Sequence, residues 1–139
     1  MASILGINLS ELNQAEVLAK IADFLNSNEA HYIVTPNPEI ILAAEKDEEL
    51  FHILNKADLS LADGFGLKIA AWLFGVNISR VTGSDTTVKL LKIAAEKGNR
   101  VMILNWEEGL SQPSDIKIAL TKKFPGLIFS VLNISRAKF

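Results

Sequence analysis

Three short segments of this 139-residue chain carry side chains able to do chemistry: "TPNPE" (35–39), "LADGFG" (61–66) and "RVTGSD" (80–85). In the first, each proline disfavours helical geometry for the residue before it, so Thr35 and Asn37 are held extended. Pro38 suits the first position of a helix and Asn37 its cap. The segment reads either as a well-made strand-to-helix junction or as a ligand edge presenting a hydroxyl and an amide. In the second, an apolar run delivers Asp63, while Gly64 and Gly66 leave room for a ligand or a close backbone approach. Asp63 could cap the helix that follows, or serve as general base for an attacking hydroxyl. In the third, Gly83 precedes Ser84, Asp85 and Thr86, an anion-friendly helix start to which Arg80 could add a fixed positive charge. The alternative there is simple capping with a solvated arginine.

Other chemistries find no support. The usual phosphate loops, GxGxxG and GxxxxGK[ST], are absent, as are a D-x-D pair and a G-x-S-x-G elbow. His31 and His52 show no metal-ligand spacing and read as surface or strand-edge residues. With no cysteine, disulfides and thiolate metal sites are excluded. The formal charge of −2, from scattered residues, leaves no footprint for a nucleic-acid backbone. No export signal and no apolar run of about 18 residues is present, so a cytoplasmic location is expected.

The elements that must position these residues alternate in period. Asn13 and Glu16 form a capping-box pattern ahead of a stripe of Val17, Leu18, Ile21, Phe24 and Leu25. "HYIVT" reads as a buried strand. From Pro38 to about Ala57 the pattern is helical, broken near Asp47, which would cap the second piece. "DLSLA" is a short strand, and "GFGLKIAAWLFG" a helix apolar nearly all round, expected to be buried on most sides. A helix from Ser84 to Lys97 stops at Gly98, followed by a strand "RVMILN", a polar loop "WEEGLSQPSD", a helix carrying Ile116, Ala119, Leu120 and Phe124, and a strand "GLIFSVLN". Strands alternating with helices predict a single α/β domain over 1–139, a mostly parallel sheet with helices on both faces. In such sheets ligands bind where strand ends enter the next helices, which is where the chemistry-bearing segments fall.

Four blocks in order, "ILGINLSELNQAEVLAKI", "HYIVTPNPEIILAAEKDEEL", "NKADLSLADGFGLKIAAWLFG" and "RVTGSD", resemble the WecG/TagA/CpsF glycosyltransferase family of bacteria. The resemblance is close over residues 4 to about 97. It implies a Rossmann-like fold of which this chain would be the N-terminal part, truncated relative to the family domain. It implies an inverting, metal-independent transfer of an N-acetylmannosamine-type sugar from a UDP donor, with no cofactor. The acceptor would be a polyprenyl-diphosphate-linked sugar, in teichoic acid or surface-polysaccharide synthesis at the inner face of the membrane. Carried over by motif, Asp63 would be the catalytic base. Thr35, Asn37, Gly64, Arg80, Thr82, Gly83, Ser84 and Asp85 would line the sugar-diphosphate pocket. One departure is "NWEEGLSQPSD", where the family has a Gly-rich turn: Glu107 and Glu108 would repel a diphosphate that faced them. A non-catalytic α/β binding module derived from the same fold is the alternative. An exposed sheet edge and the apolar side of "GLIFSVLN" lead us to expect a homo-oligomer.

Overall fold

The computed structural model describes residues 2–73, 75, 78–79 and 81–135, and its internal contacts divide the chain into two compact units, Met1–Thr86 and Thr87–Phe139.

The first unit opens with an antiparallel hairpin of β1 (Ala2–Ile4) and β2 (Ile7–Leu9). Leu5 and Gly6 form its two-residue turn, both at positive φ (49° and 78°), the backbone that lets the strands twist together. Ala2, Ile4, Ile7 and Leu9 point inward. Helix α1 (Gln14–Asn26) then begins in the expected capping box. Asn13 Oδ1 accepts from the Ala15 and Glu16 N–H groups at 2.9 and 3.1 Å, and Glu16 Oε2 accepts from Asn13 N–H at 2.7 Å.

Strand β3 (Ile33–Val34) is followed by α2 (Pro38–Ala44), α3 (Glu48–Lys56), β4 (Leu59–Ser60) and α4 (Phe65–Leu73). The helix break falls where the sequence places it, with Asp47 accepting from Leu50 N–H at 3.0 Å. β3 and β4 pair in parallel, Ile33 opposite Leu59 and Val34 opposite Ser60. The pairing runs past both strands: Leu61 N–H donates to Val34 O at 2.8 Å and Asp63 N–H to Pro36 O at 3.0 Å. Ile7, Leu9, Ile41, Leu54, Ala62, Leu67, Ala71 and Ile78 form the core of this unit.

The apolar sequence of α4 predicts burial on most sides. α4 is not buried on most sides: Leu67 and Ala71 face the core, whereas Phe65 (66%), Ile69 (45%), Trp72 (73%) and Leu73 (70%) are exposed. An all-apolar sequence shows that a helix can be buried all round, but whether neighbours exist to bury it is a tertiary matter.

Helix α5 (Gly83–Lys97) begins in the first unit and continues into the second, which adds β5 (Arg100–Trp106), α6 (Pro113–Lys123) and β6 (Ile128–Ile134). β5 and β6 pair in parallel over seven positions, from Arg100 opposite Ile128 to Trp106 opposite Ile134. Leu91, Ala94, Phe124 and Leu127 form the core of this unit, and on the strands Met102, Leu104, Ile128 and Leu132 are exposed. Asn105 anchors the loop after β5, its amide donating to Asn133 Oδ1 at 2.9 Å and Ser111 O at 3.0 Å. The molecule is α/β with parallel strand pairs joined through helices, in keeping with a Rossmann-like glycosyltransferase fold.

Candidate active site

The first unit brings the three chemistry-bearing segments together, with "TPNPE" in the middle. The hydrogen bond from Asp63 N–H to Pro36 O ties it to "LADGFG". Pro38 then packs on that segment's glycines: a methyl group at Gly66 would meet Pro38 Cγ at 3.2 Å. On the other side, a methyl group at Gly83 would meet Thr35 Cγ2 at 2.9 Å and Oγ1 at 3.0 Å. Both approaches are closer than an ordinary van der Waals contact, so the glycines are what allow the segments to converge.

Asp63 lies at the end of the extended run after β4, half-buried. Gly64 follows at φ +101°, a backbone open to glycine, and turns the chain into α4. Among the described residues the Asp63 carboxylate accepts no hydrogen bond, so the capping role weighed from sequence has no contact behind it. The Thr35 hydroxyl, on the neighbouring strand extension, is likewise without a hydrogen bond among the described residues. An acceptor and a donor without a hydrogen bond among the described residues therefore stand at adjacent strand ends, where open α/β sheets hold their ligands.

The other candidates are more committed to the fold. Asn37 Oδ1 accepts from Ile40 N–H at 2.8 Å and caps α2, which leaves its amide NH2 as the group it can offer a ligand. Buried Thr82 caps α5: its hydroxyl accepts from Asp85 N–H at 3.2 Å and donates to Asp85 Oδ2 at 2.7 Å. Ser84 Oγ donates to Thr82 Oγ1 at 3.3 Å, and Thr86 Oγ1 donates to Thr82 O at 2.9 Å. Asp85 thus supplies the negative charge that a helix N-terminus favours, from within the chain. Arg80 lies outside the described residues.

Residues 2–133 match the family model of the glycosyl transferase WecG/TagA/CpsF family. The chain belongs to this family. A relative from Bacillus subtilis (strain 168), named N-acetylglucosaminyldiphosphoundecaprenol N-acetyl-beta-D-mannosaminyltransferase, is 32% identical over 96 residues, 63% of this chain and 38% of the relative. Proteins of the same name from Bacillus spizizenii and Staphylococcus aureus (strain MRSA252) are 37% identical over 79 residues and 25% over 130; the matches take in 56% and 91% of this chain, and 31% and 50% of those relatives. The chain spans half or less of the length of these relatives. Family membership gives the convergence of the three segments a functional context that the geometry alone does not supply.

Two further features of the first unit were not expected from the sequence. An open groove of about 460 Å³ runs beside Thr35 and Pro36, walled by Ile40, Leu50 and Leu54 with Glu39 at its side. In the sequence these residues belong only to the helical pattern from Pro38 to about Ala57, which carries no sign of a groove. His31, read as a surface or strand-edge residue, stacks on Phe24 with ring centres 4.1 Å apart. Its Nδ1 lies 3.0 Å from Asp58 Oδ1 and its Nε2 2.9 Å from Ser27 Oγ. An ionised Asp58 can only accept, so Nδ1 carries the proton. Because Glu29 N–H also donates to Ser27 Oγ (3.2 Å) and Tyr32 N–H to Asp58 Oδ2 (3.0 Å), the constellation ties the end of α1 to the start of β4. The signal in the sequence would have been Asp58 immediately ahead of β4.

Proposed function

We propose that the protein is an inverting sugar transferase that moves an N-acetylmannosamine-type sugar from a UDP donor to a polyprenyl-diphosphate-linked sugar, in teichoic acid or related surface-polysaccharide synthesis. The observation that carries this reading is the half-buried Asp63 carboxylate, without a hydrogen bond among the described residues, at a strand end whose backbone is bonded to "TPNPE", the segment that Gly83 packs against. Family membership supports the reaction class, and the names of the relatives support the acceptor.

In this reading an acceptor hydroxyl hydrogen-bonds to Asp63, which takes its proton as the oxygen bonds to the anomeric carbon. The bond from that carbon to the diphosphate breaks on the opposite face, UDP departs with the electron pair, and the configuration inverts. Thr35 and the Asn37 amide orient the donor. The Asp85 carboxylate already occupies the start of α5; a cationic side chain, Arg80 by family motif, would supply positive potential for the departing diphosphate. No metal takes part in this scheme.

Calorimetric titration of UDP and UDP-N-acetylmannosamine, with transfer assayed on a soluble polyprenyl-diphosphate-N-acetylglucosamine analogue, tests the proposal. Donor binding with turnover and an inverted product is expected. No binding at millimolar donor would overturn it in favour of the non-catalytic module, a reading with its own observation in the closed cap of Thr82 and Asp85.

A further inference from the structure

Helix α4 begins two residues after Asp63 and exposes an apolar ridge. Phe65, Ile69, Trp72 and Leu73 recur at helical spacing on the outward side, opposite the buried Leu67 and Ala71. Phe65, Lys68, Ile69 and Trp72 line a shallow depression of about 160 Å³. The two rings, 66% and 73% exposed, alone present on the order of 300 Å² of apolar surface, the size of patch that marks an interaction site. From Gly64 to Gly75 the only charged residue is Lys68.

We propose that this outer face of α4 docks on an anionic phospholipid bilayer, seating the Asp63 strand end at the membrane surface. Three observations favour a bilayer over a protein partner. Tryptophan and phenylalanine beside a lone lysine are the composition of interfacial helices, in which the rings enter the headgroup boundary and the ammonium group meets lipid phosphate. The ridge is continuous with the candidate site, so whatever holds it also holds the site. The relatives' name specifies an undecaprenol-linked acceptor, whose long chain stays in the bilayer while its sugar projects into water. At nine residues α4 is too short to span, and among the described residues no helix is long and apolar enough to cross a membrane. The inference rests on the proposed function for the location of the acceptor, and on α4 for the surface.

The chain has two tryptophans, Trp72 and Trp106, so W106F leaves Trp72 as a single reporter. With vesicles of phosphatidylglycerol and phosphatidylcholine, we expect co-sedimentation, a blue shift of Trp72 emission and its quenching by brominated acyl chains. Replacing both rings in F65S/W72S should lower partitioning at least tenfold with an unchanged circular dichroism spectrum, and K68Q should weaken the preference for anionic over neutral vesicles. Wild-type chain that stays in the supernatant, with Trp72 emission unmoved, would overturn the proposal. So would light scattering that shows a dimer abolished by F65S/W72S with no vesicle binding, since the ridge would then serve a second copy. Transfer to the soluble acceptor analogue separates the two claims: turnover without vesicle binding removes the docking face and leaves the transferase, while vesicle binding without turnover does the reverse.

Discussion

Gly83 and Thr35 pack so closely that a β-carbon at position 83 would stand 2.9 Å from Thr35 Cγ2 and 3.0 Å from Oγ1. The first turn of α5 and the end of the β3 extension therefore fit only because one of them lacks a side chain. Gly83→Ala should cost about 1–3 kcal/mol, the usual effect of overpacking a filled space. Thr35→Ala should relieve it, so the double variant should be more stable than the two single changes sum to in denaturant melts. Strict additivity would mean that the two residues do not meet in solution.

Asn37 has a structural task through its oxygen and, in the proposed function, a binding task through its nitrogen. The two can be separated. Asn37→Ala removes the bond to Ile40 N–H and should cost about 1 kcal/mol of stability. Asn37→Asp keeps a capping oxygen and should melt near the wild type, yet lose the amide donor and weaken UDP-sugar binding by roughly tenfold, the effect of about 1.4 kcal/mol. Unchanged donor affinity in Asn37→Asp would leave Asn37 as a cap alone.

The helix starts were legible because each is local: Asn13 with Glu16, Asn37 with Pro38, and Asp47 all act on backbone within three or four residues. The hairpin of β1 and β2 was not, since two three-residue strands around Leu5 and Gly6 are too short to show a period. "HYIVT" read as a longer strand than the paired Ile33 and Val34, because Tyr32 has its N–H bonded to the Asp58 side chain rather than to a ladder partner. The segments of the candidate site were each readable as polar residues at element ends, but their convergence rests on Gly83 against Thr35 and Gly66 against Pro38, contacts between residues some 30 to 50 positions apart in the chain. The exposure of α4 and the use of His31 were hidden for the same reason.

The tie between α1 and β4 makes a prediction about pH. The hydrogen bond from His31, followed by that from Tyr32 N–H, holds the Asp58 carboxyl below its ordinary value of 3.8. A carboxyl depressed by folding adds stability above its unfolded value and loses it as pH falls through the folded one. Asp58→Asn should therefore lower the melting temperature at neutral pH, and the gap to wild type should close as the pH is taken below 3.8. A gap that persists undiminished in acid would show that Asp58 acts by shape and not by charge.

If the Asp63 carboxylate takes the proton from the acceptor, single-turnover transfer by Asp63→Asn will show it. The variant keeps the size of the side chain and leaves the backbone bond from residue 63 to Pro36 O in place, so donor affinity and melting temperature should stay near the wild type. The transfer rate should fall at least 100-fold, the low end of what a general base contributes. Transfer at an unchanged rate, with donor still bound, would mean that Asp63 is not the base.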